Sequence, residues 1–313
     1  MTLALLAMSH SPLLEHADLD SEIVADLEKN FEIARKFVSE YNPDIVVNFG
    51  PDHYNGFFYN LMPAFCIGCA ANSIGDYGSQ SGPLDVPEEI ARDLAQSVLR
   101  DGIDLSVSLQ MEVDHGAVQP MEIIYGDITA KPLVPIFINS VAPPFTPVQR
   151  VRLLGESVGR YLSQLGKKVL IIASGGLSHD PPVPRIATAT DAQRAALMGQ
   201  GGPLSPEARD ARQQRVIQAA RDFAAGKADI QDLAPDWDRE FLDIVSSGDL
   251  TPLDSWTPDE MTRIAGNSSH EVRTWIAGYA ALSAAGPYTV THSYYRPIKE
   301  LIAGFALTTA ILD

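Results

Sequence analysis

Three apolar runs, each ending in a loop that carries a histidine, constrain the fold of this chain more than any other feature. The runs span residues 3–8, 45–49 and 169–173, and the histidines that follow them are His10, His53 and His179. A short apolar run that stops at turn residues predicts a buried strand, and loops at the carboxyl ends of strands commonly carry sites in open α/β sheets. If these strands are parallel neighbours, the three imidazoles meet at one edge of the sheet.

Helical and extended segments alternate along the first half of the chain. Helices are predicted over 20–41, 87–99, 117–125 and 148–165, and further strands over 103–109 and 133–138. This alternation predicts an α/β fold with a mostly parallel or mixed central sheet flanked by helices. The chain has 313 residues, of which 45% are hydrophobic, so it can bury a substantial core.

The chain changes character after Pro181. From about residue 188 to 265 it is helical, polar and acidic, which predicts a helical insertion or cap rather than a second core. An apolar helix is predicted to follow over 272–284. We therefore expect one domain over residues 1–313, with the helical insertion 188–265 within it.

The net charge of −17 opposes binding to nucleic acids and to anionic membranes, because both depend on basic patches. No apolar run approaches the roughly 20 residues that a membrane span needs, and no signal peptide is predicted. We therefore expect a cytoplasmic protein. A small anionic ligand remains compatible with the charge, since it needs only one or two local cations.

Cys66 and Cys69 are the only cysteines. Their Cys-x-x-Cys spacing is compatible with a redox or zinc site, but a single pair among apolar neighbours is weak support for either. Free cysteine is commonly buried, so buried and inert thiols are the favoured interpretation.

His10 and His53 are candidate metal ligands, because neutral imidazoles on two strand-end loops suit a divalent metal. The chain must then supply a third ligand from elsewhere. Glu271, at the start of the apolar helix, is the candidate carboxylate. Ser268 and Glu271 also match a capping box, which needs no metal. Spacing alone leaves both interpretations of Glu271 open.

His115 and His179 form a second pair of candidates. His115 precedes a predicted helix, whose N-terminus disfavours the imidazolium and would help to keep a base neutral. His179 follows a Gly-Gly-Leu-Ser turn. Either residue alone could be a loop histidine that hydrogen-bonds to the backbone. Serines flank several of these histidines, but no G-x-S-x-G motif supports a serine hydrolase.

The remaining histidines and one aromatic run are assigned less specific roles. His16 and His292 are expected to be solvated. His270 should point about 100° away from Glu271 around a helix, so only one of the two is expected in a site. The aromatic run, which could line an apolar pocket or form core, comprises Tyr54, Phe57, Phe58 and Tyr59.

Taken together, these motifs resemble the class III (LigB-type) extradiol ring-cleavage dioxygenases over nearly the whole chain. The matching segments are residues 9–12, 51–59, 114–116, 174–179, 270–271 and 294–298. The resemblance implies an α/β fold that assembles as a homo-oligomer. It also implies ring cleavage of 3-(2,3-dihydroxyphenyl)propionate, or a close substituted catechol, with dioxygen.

The resemblance also assigns roles to individual residues. It implies that His10, His53 and Glu271 hold a non-haem Fe(II) ion as a 2-His-1-carboxylate triad, and that His115 and His179 are acid/base histidines. The substrate carboxylate would then need a cation. The sequence offers four candidate cations and does not rank them: Arg185, Arg273, Arg296 and Lys299.

Two other functions use the same residues. A zinc-dependent hydrolase would use the same ligands with a metal-bound water. A non-enzymatic binding protein could share the scaffold, since a fold does not determine a function.

Overall fold

The structure is a computed structural model that describes residues 2–200 and 205–313. Its strands are β1 (Leu3–Met8), β2 (Ile45–Gly50), β3 (Phe65–Gly68), β4 (Ala71–Ile74), β5 (Ser81–Pro83), β6 (Ser106–Ser108), β7 (Met111–Val113), β8 (Leu133–Ile138), β9 (Val169–Ser174), β10 (Tyr288–Ile298) and β11 (Ala303–Leu312). Its α-helices are α1 (Ser21–Tyr41), α2 (Glu88–Arg100), α3 (His115–Tyr125), α4 (Val148–Ser163), α5 (Asp191–Leu197), α6 (Pro206–Ala224), α7 (Pro235–Ser247), α8 (Pro258–Ala265) and α9 (Val272–Ala285).

The main sheet has eight strands in the order β10-β11-β1-β9-β2-β8-β3-β6. Its central strands β1, β9, β2 and β8 are parallel, whereas β11 pairs antiparallel with β1 and β3 pairs antiparallel with β8. A second sheet of three strands has the order β5-β4-β7. The predicted α/β class is confirmed, in its mixed-sheet form.

The three apolar runs form adjacent strands, as the convergence of their histidines requires. Strand β9 lies between β1 and β2, in a register that places Met8 beside Ser174 and Phe49 beside Ala173. All three strands are buried along their whole length. Parallel strands covered on both faces read as continuous apolar runs, which is why the sequence revealed them. Their carboxyl ends therefore open onto the same edge of the sheet.

The C-terminal hairpin of β10 and β11 was not predicted. Strand β10 lies at the sheet edge, contains Pro297 and carries polar side chains along much of its length, so its sequence resembles a loop. The short strands β3, β4, β5 and β7 were also missed, because three or four residues are too few to show a periodicity. The strand predicted over 103–109 is wrong in extent, since only Ser106–Ser108 is extended.

Helices α5 to α8 lie in the segment predicted to be a helical insertion, of which residues 201–204 are outside the described part of the chain. Helix α7 packs onto the main core, where Phe241 meets Trp275 of α9 with ring centroids 6.2 Å apart. This segment thus extends the common core. The division into one domain with an insertion at 188–265 stays a prediction.

Both cysteines are free and buried, as predicted. Burial raises the pKa of the Cys66 thiol to about 12 and also raises the pKa of Cys69, so both remain protonated thiols near neutral pH. Within the described ranges, no helix combines the length and apolar character that crossing a membrane requires.

Helix α9 is held against α4 at very short range. A Cβ atom at Gly155 would overlap the carbonyl group of Ala277, and one at Gly159 would overlap that of Ala281. Only glycine allows the two backbones to approach this closely. Because α9 begins directly after Glu271, this contact helps to set the position of that carboxylate.

Replacing Gly159 by alanine should therefore destabilise the fold. The added methyl group must push α4 away from α9, and overpacking of this kind costs roughly 1–3 kcal/mol. The free energy of unfolding, measured by urea denaturation, should fall by about that amount. Gln149→Ala, at an exposed position of the same helix, should change it by no more than about 0.5 kcal/mol. Equal stabilities of the two variants would contradict this packing.

Candidate metal centre and active site

Loops from the sheet edge bring three imidazoles together. His10 follows β1 by two residues, His53 follows β2 by three, and His115 is the first residue of α3. The ring centroids of His10 and His53 are 5.4 Å apart, and those of His53 and His115 are 4.6 Å apart in a stacked arrangement. The predicted convergence of His10 and His53 is observed, and His115 joins them.

The Glu271 carboxylate is the point at which these side chains meet. Its Oε2 lies 3.4 Å from Nε2 of His10, and its Oε1 lies 3.2 Å from Nε2 of both His53 and His179. The backbone N–H of Gly176 also donates to it at 2.8 Å. The capping-box interpretation is wrong, because Ser268 makes no side-chain cap and the carboxylate turns inward to the histidines.

The outward-facing nitrogens of the two candidate ligands have partners of their own. Nδ1 of His10 lies 3.0 Å from the hydroxyl oxygen of Ser174, and Nδ1 of His53 lies 3.1 Å from a carboxylate oxygen of Asp114. Such contacts orient metal-ligating histidines and keep the other nitrogen free for the metal. Both Nε2 atoms consequently face Glu271.

The protonation of His10 and Glu271 suits metal ligands. Burial lowers the pKa of His10 to about 3, so its imidazole is neutral. Burial alone would raise the pKa of Glu271, but the adjacent His179 and His10 hold it well below its usual value, so the carboxylate is charged. Burial also opposes a charge on His53, yet the neighbouring Asp114 and Glu271 raise its pKa well above the ordinary value.

The available donors fit a divalent transition metal. Nitrogens of His10, His53 and His115 lie within 4.8 Å of one another, and the buried carboxylate of Glu271 borders them. Imidazole and carboxylate donors together suit non-haem iron. Ligand atoms of a second group, Asp76, Asp114 and His115, also lie within 4.8 Å of one another. Its two carboxylates already serve imidazoles, Asp76 holding His115 at 2.6 Å and Asp114 holding His53.

His179 is arranged as a proton acceptor. Its Nδ1 donates to the carbonyl oxygen of Leu177 at 2.8 Å, and a carbonyl can only accept, so this nitrogen carries the hydrogen. The neutral ring therefore has its lone pair on Nε2, which points to Glu271. Burial opposes protonation of His179, but Glu271 outweighs it and raises the pKa. His179 therefore hydrogen-bonds to the backbone, as a loop histidine would, and also reaches the site, as an acid/base residue must.

The loop that carries His179 is anchored by residues that the sequence did not reveal. A Cβ atom at Gly176 would lie 2.8 Å from Cε1 of His179, so the ring requires glycine there. Asp238 of α7, fully buried, accepts hydrogen bonds from the Ser178 backbone at 2.7 Å, the Ser178 hydroxyl at 2.6 Å and the Tyr295 hydroxyl at 2.7 Å. No local signal in an acidic helix distinguishes Asp238 from its solvated neighbours.

A cavity of about 900 Å³ opens above the five candidate residues, all of which line it. The sequence left open whether the aromatic run lines a pocket or forms core, and its members do both. Tyr54 and Phe58 line the cavity, whereas Phe57 stacks on Phe137 with ring centroids 4.0 Å apart. Tyr59 packs beside Tyr54.

The other histidines lie outside this centre. His270 stacks on Phe145 with ring centroids 3.9 Å apart, so of the neighbours His270 and Glu271 only the latter enters the site, as predicted. The expectation that His16 and His292 are solvated holds only in part. Both are half-buried, and Nε2 of His292 lies 2.8 Å from the Asn30 side-chain oxygen.

Three of the four cations considered for a substrate carboxylate are engaged elsewhere. Arg273 is buried and donates to the carbonyl oxygen of Thr146, Arg296 pairs with Asp26 at 3.1 Å, and Lys299 pairs with Asp232 at 2.9 Å. Arg185 lines the cavity but pairs with Asp180 at 3.0 Å. Three arginines of α6 that no sequence pattern singled out line the cavity instead: Arg209, Arg212 and Arg215.

Comparison with known proteins places this geometry in a family. The sequence model described as the catalytic LigB subunit of aromatic ring-opening dioxygenase matches residues 4–306. The chain belongs to the LigB family. It is therefore an aromatic ring-opening dioxygenase, as the resemblance of its motifs implied.

Individual relatives are similar over their full length. A 2,3-dihydroxyphenylpropionate/2,3-dihydroxicinnamic acid 1,2-dioxygenase of Rhodococcus globerulus is 60% identical, over 100% of this chain and 99% of the relative. Enzymes with the same name from Rhodococcus rhodochrous and Mycolicibacterium gilvum are 58% and 53% identical, covering at least 98% of each chain.

Replacing Asp238 by asparagine should loosen the loop of this LigB-family protein that carries His179. The amide offers one acceptor where the carboxylate serves three donors, and a buried donor left unpaired costs about 1–3 kcal/mol. Urea denaturation should show a loss of that size. Asp243→Asn, the same substitution at an exposed position of α7, is the matched control and should be near neutral. An Asp238→Asn variant as stable as this control would argue against the anchor.

Proposed function

We propose that this enzyme cleaves the ring of 3-(2,3-dihydroxyphenyl)propionate, or of a close substituted catechol, at the bond next to the diol. The proposal includes Fe(II) held by His10, His53 and Glu271. The observation that carries it is the buried Glu271 carboxylate in contact with three imidazoles at the base of a large cavity. The names of the similar enzymes support the substrate, and they add 2,3-dihydroxycinnamate as a second candidate.

The proposed metal accounts for the use of dioxygen. Fe(II) held by His10, His53 and Glu271 would supply the redox chemistry by which dioxygen reacts with a catechol. His10 and His53 would supply imidazole nitrogens to the ion, and Glu271 would supply the negative charge. Binding both reactants in this one site would remove the entropic cost of bringing them together.

His179 is proposed as the general base. Because the carbonyl oxygen of Leu177 holds the hydrogen on Nδ1, the lone pair is on Nε2, which lies 3.2 Å from Glu271, a proposed metal ligand. His179 would take the proton from that hydroxyl, a step for which a positioned base contributes a factor of about 100 to 10,000.

His115 is proposed as the second acid/base group. Asp76 accepts a hydrogen bond from its backbone N–H at 2.8 Å and contacts its Nδ1 at 2.6 Å, which orients the ring. Its other nitrogen, Nε2, is left to deliver or orient a proton as the ring opens. We assign the acid role to His115, whose partner is the carboxylate of Asp76, and the base role to His179, whose partner is the carbonyl oxygen of Leu177.

Family membership favours ring opening over the alternatives. A zinc-dependent hydrolase and a non-enzymatic binding protein would both be exceptional among relatives of 50–60% identity that are named as dioxygenases. We further propose a cytoplasmic location, supported by the strongly acidic composition, and a homo-oligomeric assembly, supported by the family resemblance. Sedimentation of the purified protein tests the assembly, and a monomer at working concentration would exclude it.

Protein reconstituted with Fe(II) under anaerobic conditions should convert 3-(2,3-dihydroxyphenyl)propionate to a yellow ring-opened product on admission of oxygen. One molecule of dioxygen should disappear for each molecule of substrate, measured with an oxygen electrode and by absorbance. Chelation should abolish turnover, and Fe(II) but not Zn(II) should restore it. Restoration of a hydrolytic activity by zinc would instead support the hydrolase.

Substitutions should separate metal binding from proton transfer. Glu271→Gln removes the charged ligand and should lower iron content, measured by metal analysis after desalting. His179→Gln should retain iron but reduce kcat by about 100- to 10,000-fold, because only the base is lost. His292→Gln, on β10 and away from the cavity, is the control and should retain both. Full iron occupancy in Glu271→Gln would remove Glu271 from the ligand set.

A further inference from the structure

Helix α6 places two arginines on the wall of the cavity. Arg209 and Arg212 are three residues apart and so lie on the same side of the helix. Nη2 of Arg212 donates to the backbone carbonyl of His53 at 2.6 Å, and Nη1 of Arg209 donates to that of Ile74 at 3.2 Å. Both partners are uncharged oxygens at the floor of the cavity. They fix where the guanidinium groups lie without neutralising them.

Neither charge is compensated within the protein. Among residues 2–200 and 205–313, no carboxylate oxygen lies within 4.0 Å of a guanidinium nitrogen of Arg209 or Arg212. Residues outside these ranges carry no acidic side chain. By contrast, Arg185 at the cavity pairs with Asp180, and Arg221 further along α6 pairs with Asp18 at 3.5 Å.

Arg209 carries an additional unmet requirement. Its Nε is buried and has no hydrogen-bond partner in the described part of the chain. A buried donor without an acceptor costs free energy, more so on a charged group. A bound anion would relieve this cost, since a carboxylate matches the planar fork of a guanidinium.

The position of Arg212 relative to the metal centre suits one particular anion. Its guanidinium is bound to the backbone of His53, whose imidazole is a proposed ligand, so one histidine residue separates cation from metal. In 3-(2,3-dihydroxyphenyl)propionate, two methylene groups separate the carboxylate from the ring that carries the diol, so the carboxylate also lies a short chain away from the diol. Tyr54 and Tyr77 line the cavity beside Arg212 and could flank that chain.

We propose that Arg212, with Arg209 beside it, binds the side-chain carboxylate of the substrate and selects catechols that carry an anionic three-carbon chain. This rests on the proposed function for the identity of the diol. The chain as a whole has a net charge of −17, which opposes the approach of an anion. Two uncompensated cations inside the cavity supply the local attraction that this substrate needs.

Selectivity between two catechols of equal length tests the proposal. The pair is 3-(2,3-dihydroxyphenyl)propionate and 3-propylcatechol, which lacks the carboxylate. Arg212→Gln keeps a polar side chain with N–H donors at this position but removes the charge. It should lower kcat/KM for the propionate by about 10- to 100-fold, which is the usual contribution of a charge-assisted hydrogen bond. The kcat/KM for 3-propylcatechol should stay within about threefold of the wild-type value. Arg221→Gln, on the same helix, should change neither.

A second measurement needs neither metal nor turnover. Calorimetry with the metal-free protein should show that 3-phenylpropionate binds more tightly than 3-phenyl-1-propanol. Arg212→Gln should remove most of that difference and Arg209→Gln a smaller part of it. Arg212→Lys, which keeps the charge but not the fork, should retain an intermediate preference, and it carries the test if Arg212→Gln does not fold.

The possible outcomes separate this proposal from the proposed function. Suppose that the wild-type protein cleaves neither catechol but binds 3-phenylpropionate, and that the Arg212→Gln variant does not bind it. The ring-cleavage assignment then fails and the carboxylate site stands. Equal losses for both catechols would show that Arg212 only supports the His53 loop, and would overturn the proposal. Wild-type protein that binds the acid no more tightly than the alcohol would overturn it as well.

Discussion

The site depends on one buried charge, the carboxylate of Glu271 between the imidazoles of His10, His53 and His179. A charge removed from water is costly unless partners surround it, and here three rings and the Gly176 N–H do so. The fold can be understood as the means of assembling these partners. Adjacent parallel strands deliver the imidazoles, and the close contact of α4 with α9 delivers the carboxylate.

Much of this assembly was predictable from the sequence, for a physical reason. Strands buried on both faces must be apolar throughout, so β1, β2 and β9 were visible, and so were the histidines beyond their ends. The capping pattern at Ser268 was misleading, because a glutamate at position 271 is compatible both with a local capping hydrogen bond and with ion pairs to distant histidines. Only the packing of α9 decides between them. Family resemblance assigned roles that spacing left open.

The residues that sequence reasoning missed are those whose partners are distant in the chain. Asp238 anchors the Ser178 loop from 60 positions away, and Arg212 reaches His53 across 159. In a polar, acidic helical segment such residues resemble solvated surface. The segment predicted to be a helical insertion or cap therefore does more than cover the active site. One of its helices fixes the loop of the proposed base, and another brings cations to the cavity of a LigB-family dioxygenase.

The identity of the metal ligands is the central claim, and direct location of the iron tests it most sharply. Crystals loaded with Fe(II) under anaerobic conditions would be measured on both sides of the iron absorption edge. The account predicts one anomalous peak bonded to Nε2 of His10, Nε2 of His53 and an oxygen of Glu271. A peak held by His115 in place of Glu271, or one bound by Asp76 and Asp114, would contradict it.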